Sequence, residues 1–349
     1  MHTTFFSDIA TYVPERKVCN AEIEDRVNHR KKLLPEGGLL RLFGCETRYY
    51  AAENEQTSDL AAKAALPIVE KYGRNNIDFL IFASASSDLL EPATANIVQQ
   101  KLGLRCPVMD VKNACNSFVS GLQTADAMIR AGFYAQILIV TGEKLSSVIN
   151  FDIQNGEHLR RSLAAFSLGD AGTAVLVTRN AAYTEGVESR VSSSVSNPVY
   201  QSGIKKQSFM TLGEYWDLCT VKGGGSMFSH DISKNFFEGR TKELGTVIRR
   251  EAKGFLHNFF VAENTPPQYF DHIFTHQVAE STFDLISEEM NLPPDRISRT
   301  FREYGNTAAA SIPLSIHKSL KNNTLHRGDK VLILGLAAGV SVSVQSLIW

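Results

Sequence analysis

The chain has 349 residues, of which 43% are hydrophobic and 21% charged. These are ordinary values for a globular enzyme of two domains or one large layered one. A formal net charge of −1 gives no argument for nucleic acid or an anionic membrane as the main partner. Five cysteines, Cys19, Cys45, Cys106, Cys115 and Cys219, are odd in number and form no CxxC pair. That pattern disfavours a disulfide frame or a zinc site and points to a reducing, cytoplasmic setting.

The start, "MHTTFFSDIATYVPERK", lacks the basic, apolar, small-residue order of a secretion signal. No run reaches the roughly 18 apolar residues of a membrane span. A helix over 57–73 opens on an S/T/D cap signal and leads to the buried strand "IDFLIFASAS", 77–86. The strand "CPVMDVKNA" (106–114) precedes the helix "SFVSGLQTADAMIRAG" (117–132), which ends at a glycine. "AQILIVTGEK" (135–144) and "GTAVLVTRN" (172–180) are two more strands. Glycines and serines at 192–197 and 221–231 mark surface loops.

A second α/β unit follows, with a long helix around 244–262, the strand "FDHIFTHQ" (270–277) and a helix over 279–291. The turn "REYGNTAAASIP" (302–313) leads to another helix. The run 331–344 reads as strand, turn, strand. Two comparable halves, 1–180 and 181–349, predict a duplicated α/β architecture. Basic clusters at 204–206 and 249–253 fit a solvated face or, less simply, a dock for an acidic carrier protein.

Three residues can carry chemistry. Cys115 lies where a strand turns into a helix, so the first helical N–H groups can favour a thiolate and hold an oxyanion. Taken alone, it reads more readily as a small buried hydrophobe. His276, in "FTHQ", ends an apolar strand, and Asn306, in "YGNTAAAS", sits in a glycine turn opening a helix. Each alone has a structural reading, as core histidine or turn amide. As a set they suit thioester chemistry, with a cysteine that takes an acyl group and neutral His and Asn donors that stabilise an enolate.

With these residues the chain resembles the thiolase superfamily, in particular the ketoacyl-ACP synthase III-like enzymes. "DVKNAC", "SLGDAGTAVLV" (167–177), "HQ" (276–277) and "YGNTAAASIP" (304–313) fall in that family's order. The resemblance implies a five-layered αβαβα fold and a homodimer acting on acyl-CoA or acyl-carrier protein, with no metal or redox cofactor. It implies Cys115 as acylated nucleophile, His276 and Asn306 as the enolate-stabilising pair, and the N–H groups of Cys115 and Ala338 as the oxyanion hole.

The departures define a branch. No tryptophan stands near residue 30, where synthase III stacks the coenzyme A adenine. Ser281 replaces the arginine associated with carrier docking, and "AAG" (337–339) replaces a glycine triplet. Before Pro92 stands Glu91, where synthase III has an aromatic residue that reaches into the partner's acyl tunnel. This segment resembles OleA-type thiolases, which join two acyl-CoA molecules, and α-pyrone-forming ketosynthases such as photopyrone synthase. A donor that is not decarboxylated must lose a carbon-bound proton, so a base is needed, and Glu91 of the partner is the expected one. A decarboxylating synthase III or acyltransferase, and a non-catalytic partner subunit, are the alternatives.

Overall fold

In the computed structural model, which describes residues 3–29, 32–179 and 202–349, the apolar runs become two sheets separated by helices. The first half supplies β1 (Thr4–Tyr12), β2 (Arg16–Cys19), α1 (Asn20–Asn28), α2 (Gly38–Phe43), β3 (Thr47–Tyr50), α3 (Thr57–Tyr72) and β4 (Phe79–Ala83). It continues with α4 (Thr94–Leu102), β5 (Val108–Val111), α5 (Ser117–Arg130), β6 (Gln136–Glu143), α6 (Gly156–Ser162) and β7 (Ala171–Arg179). The second half supplies β8 (Gly203–Thr211), β9 (Cys219–Val221), β10 (Phe237–Gly239), α7 (Thr241–Glu263), β11 (His272–Thr275) and α8 (Glu280–Met290). It closes with α9 (Phe301–Tyr304), α10 (Ser311–Lys321), β12 (Lys330–Ala337) and β13 (Ser341–Ile348). The serine-rich stretch 192–197 and the division at 180/181 lie outside the described residues.

The first sheet runs β1-β7-β6-β4-β5 and the second β11-β12-β13-β8. Read from β1 and from β8, both sheets give two antiparallel neighbours followed by a parallel one. The topology therefore repeats although the two sequences do not visibly repeat. Both central strand sets are buried on both faces, which is why they read as unbroken apolar runs rather than alternating ones.

Three apolar layers hold the sheets. Between them, Phe118, Val119, Leu122 and Ile129 of α5 and Ile312 and Ile316 of α10 pack with Ile81, Ile139, Phe274 and Ile333 from both sheets. Outside the first sheet lie α3 and α4, through Ala61, Ala65, Ile68 and Val98. Outside the second lie α7 and α8, through Leu256, Phe259, Phe283 and Ile286. The layers thus run helix, sheet, helix, sheet, helix, five in all.

Local chemistry adjusts the ends. Helix α3 is capped by Gln56, whose N–H donates to Asp59 at 2.8 Å, so Thr57 is the first helical residue rather than the cap. After α5, Ala131 closes the helix and Gly132 takes a φ of 81°. That left-handed turn is the one the sequence marks with its glycine. The basic clusters meet acids of the same chain: Lys206 pairs with Glu263 at 2.7 Å, Arg250 with Glu251 at 2.6 Å and Lys253 with Glu289 at 3.6 Å. Among the described residues no helix is long and apolar enough to cross a membrane.

Candidate active site

Cys115 sits in the five-residue turn between β5 and α5. Ala114, just before it, has a φ of 46°, a left-handed conformation that costs a side chain roughly 1–2 kcal/mol. Short bonds enforce that elbow. The Asn113 N–H donates to Ser117 Oγ at 2.8 Å, and Ser117 Oγ donates to the Ala114 carbonyl at 2.7 Å. The next residue, Asn116, is fully buried, and its Nδ2 donates to Ser341 Oγ at 2.8 Å and to the Ser341 carbonyl at 3.1 Å. The nucleophile loop of one half is therefore tied to the β12–β13 turn of the other. Ala338 lies half-buried in that turn.

The helix N-terminus alone would favour a thiolate. Here burial wins: it pushes the Cys115 thiol up to about 12, the charge of Glu143 adds to it, and the residue's own N–H acts the other way. The resting cysteine is a neutral thiol.

His276 follows the last residue of β11, and its N–H donates to the Leu334 carbonyl at 3.2 Å, extending the pairing with β12. Burial lowers its imidazole from 6.5 to about 4, so it too is neutral. Its Nδ1 lies 3.0 Å from Ser311 Oγ, and that hydroxyl donates to the Ala308 carbonyl at 2.8 Å. With the hydroxyl proton engaged there, the hydrogen-bond network assigns the ring proton to Nδ1. Nε2 is then the ring's acceptor. The imidazole is neutral, as expected from the sequence, and in this tautomer Nε2 donates only once it has taken up a proton.

Asn306 is set by two close approaches. Gly305 has a φ of 66°, and a Cβ there would lie 2.4 Å from the Ser167 carbonyl; one on Gly169 would lie 2.3 Å from the Tyr304 carbonyl. The two glycines let the "SLGDAG" and "YGNTAA" loops touch. The Asn306 N–H donates to the Ser167 carbonyl at 2.8 Å, and the Gly169 N–H donates to the Asn306 carbonyl at 3.0 Å. Asn306 Oδ1 accepts the Ala308 N–H at 2.9 Å, which leaves the Nδ2 hydrogens as the outward donors. Asp170 anchors the first loop, accepting from the N–H groups of Ala51 and Ser146, each at 2.8 Å.

Ala308 is where the set converges. It binds Asn306, receives the Ser311 hydroxyl, acts on His276 and is buried in the apolar cluster on which Cys115 packs. That cluster also contains Val27 and Ile153, which line a cavity of about 200 Å³ with Arg26, His29, Phe151 and Asp152. The Arg26 guanidinium lies 3.5 Å from the centre of the Phe151 ring. Among the described residues, no three His, Cys, Asp or Glu side chains group so as to hold a metal ion.

Glu91 is not part of this convergence within one chain. It lies exposed on a strap, residues 84–93, beside Leu89 and Leu90, which are 53% and 82% exposed. The strap is clamped at both ends. Asp110 Oδ2 and Oδ1 accept the N–H groups of Thr94 and Ala95, each at 2.8 Å, where α4 begins. At the other end Glu143, wholly buried, binds Ala85 and Ser86. Glu143 is absent from the sequence-derived set. Its only signal is an acid closing an apolar strand, "ILIVTGE", one residue short of a lysine.

A duplicated five-layered fold, with a cysteine at a strand-to-helix elbow of one half and a histidine and an asparagine at element ends of the other, defines the thiolase class. Two family profiles match the chain: 3-oxoacyl-(acyl-carrier-protein) synthase III over residues 109–195, and the synthase III C-terminal family over 261–349. Together they take in just over half of its length. Beta-ketoacyl-(acyl-carrier-protein) synthase III of Neisseria gonorrhoeae is 28% identical over 347 residues, 95% of each chain. The Neisseria meningitidis protein of the same description is 29% identical over 346 residues, again 95% of each chain. The chain belongs to the synthase III-like family of the thiolase superfamily, the condensing acyltransferases. In fold it is similar to OleA of Xanthomonas campestris, with a TM-score of 0.86 at 23% identity and complete coverage of both chains. It is also similar to FabH of Pseudomonas aeruginosa, with a TM-score of 0.81 at 20% identity over 99% and 98% of the chains.

Proposed function

We propose that the enzyme condenses two acyl thioesters without decarboxylation. The observation that carries this is Glu91, a carboxylate presented outward on a strap clamped at both ends and preceded by two exposed leucines. A decarboxylating synthase has no use for a base there, and an exposed acid directly after two exposed leucines fits insertion into a second copy of the chain. OleA, the fold neighbour, has been crystallised with single substitutions at a glutamate, a cysteine and a histidine.

In this reading an acyl-CoA or acyl-carrier thioester reaches Cys115 from the cavity beside Arg26 and Phe151. Nε2 of His276 takes the thiol proton as sulfur attacks the carbonyl, and the N–H groups of Cys115 and Ala338 hold the oxyanion. The proton leaves with the departing thiol, so the site is neutral again and Cys115 is a thioester. Glu91 of the partner then removes an α-proton from a second acyl thioester. The Nδ2 amide of Asn306 donates to the enolate oxygen, and Nε2 of His276 takes over the α-proton from Glu91 and donates it to the same oxygen. The carbanion attacks the acyl-cysteine, the C–S bond breaks, and that proton passes from His276 to the Cys115 sulfur, leaving Glu91 ionised again. A β-ketoacyl thioester results, to be hydrolysed to a β-keto acid or, with a β-ketoacyl donor, cyclised to an α-pyrone. Thioester substrates and five free cysteines suit a cytoplasmic enzyme.

Glu91→Ala tests the reading. Acylation of Cys115, followed by intact-protein mass spectrometry, should persist, while condensation should fall by about 10²-fold or more, the usual contribution of a general base. Normal turnover by Glu91→Ala with a simple acyl donor would refute it. Turnover with malonyl thioesters alone would instead favour the decarboxylating alternative, which the synthase III relatives recommend.

A further inference from the structure

Among the described residues, the non-glycine residues with a positive φ are Ala114, Asn264, Asn291, Ala308 and Asn323. Asparagine takes that conformation readily and alanine does not. Both alanines stand beside catalytic residues: Ala114 precedes Cys115, and Ala308, with a φ of 42°, follows Asn306 by two. Backbone strain of this kind persists where a site needs the geometry it gives.

At Ala308 the turn puts both backbone polar groups to use. Its N–H donates to Asn306 Oδ1 at 2.9 Å, and its carbonyl accepts the Ser311 hydroxyl at 2.8 Å. A serine hydroxyl has one proton to give. Once the carbonyl has it, only a lone pair is left for Nδ1 of His276, 3.0 Å away. Ser311 is 2% exposed and His276 3%, so bulk solvent does not compete for either. The tautomer of an imidazole is set by the hydrogen bond that its other nitrogen makes. Ser315, one turn further along α10, gives its hydroxyl proton to the Ile312 carbonyl in the same way, at 2.9 Å. That bond alone is ordinary for a helical serine. In Ser311 the oxygen also meets an imidazole.

We propose that Ser311, set by the left-handed turn at Ala308, is a positioning residue that holds His276 in its Nδ1–H tautomer, so that Nε2 is free to take the proton of the Cys115 thiol. The inference deepens the proposed reaction and rests on it, with Cys115 as acyl acceptor and His276 as its base. A neutral thiol needs that base in order to attack. The thiol proton moves to Nε2 as the new S–C bond forms, and it leaves on the departing thiol as the substrate's C–S bond breaks. The ring is then back in the Nδ1–H form. With the proton on Nε2 at the outset, that nitrogen would have no lone pair to offer.

Full-length enzyme with isotope-labelled histidine rings is read by nitrogen NMR at neutral pH, the His276 signals being identified by their loss in His276→Asn. In the wild type Nδ1 should carry the proton and Nε2 none. A protonated Nε2 overturns the inference. In Ser311→Ala the Nε2–H form should gain about fivefold over the other, the worth of one hydrogen bond. Acylation of Cys115, followed by intact-protein mass spectrometry, should slow about tenfold there, since the lost bond is one to a ring that becomes charged. Ser311→Thr keeps the hydroxyl and should restore both, while Ser315→Ala, which removes a hydroxyl of the same kind from the same helix, should change neither. An unmoved tautomer ratio in Ser311→Ala, or an equal effect of Ser315→Ala, overturns the role of Ser311. A moved ratio with acylation at the wild-type rate overturns instead the use of Nε2 as base. If Cys115 takes an acyl group from no thioester, the reading of the reaction fails while the NMR result stands.

Discussion

Acid should unfold this enzyme partly through one residue. His276 titrates at 6.5 in an unfolded chain and at about 4 in the buried site. The folded value is the lower one, so on acidification the unfolded chain takes up the proton first. Stability from this source is fully present above pH 6.5 and is lost as the pH falls towards 4. A tenfold difference in proton affinity between the two states is worth about 1.4 kcal/mol, so between about pH 7.5 and about pH 4.5 the loss amounts to about 2.5 kcal/mol. Other groups are shifted as well. Asp110, Asp170 and Glu143 are raised by burial and contribute with the opposite sign, and His317 is lowered like His276. The comparison must therefore be between two proteins. Urea unfolding of the wild type and of His276→Asn, at equal protein concentration and at both pH values, isolates the contribution of the imidazole. The wild type should lose about 2.5 kcal/mol more than the variant across the interval. Parallel losses would refute a neutral, desolvated imidazole, and with it the assignment of Nε2 as acceptor.

Two further outcomes follow from the same geometry. If Glu91 serves the opposite subunit, mixing Glu91→Ala with Cys115→Ala protein under subunit exchange should restore activity to about a quarter of the wild type, since half the dimers are mixed and each has one complete site; no restoration places Glu91 in its own site. Asn116→Ala removes two buried hydrogen bonds to Ser341 and should lower stability by about 1–3 kcal/mol in urea unfolding while slowing acylation of Cys115; an unaltered acylation rate would show that the elbow stands without that tie.

The sheets were readable because their central strands are buried on both faces and stand out as apolar runs. β1 was not, since its alternation in "TFFSDIATY" is broken by a register shift between Phe6 and Asp8. α1, "NAEIEDRVN", has too few apolar residues to announce a helix and depends on packing Ile23 and Val27. Cys115, His276 and Asn306 were legible as a set because family motifs surround them, and the folded chain draws them towards Ala308. Their protonation was not legible. It depends on burial and on Glu143, a residue whose neighbours come from another strand and from the strap. The surroundings of Glu91 were not legible either, since the chain by itself presents it to solvent.

The tie between Asn116 and Ser341 joins residues 225 positions apart. A chain emerging from the ribosome can complete the first sheet and still lack the turn that holds the nucleophile loop. Cys115 then has a helix beneath it but not the strand end that ties down its neighbour Asn116. Contacts of such long sequence separation slow folding, so the loop that carries Cys115 reaches its final shape only when both halves of the chain are in place.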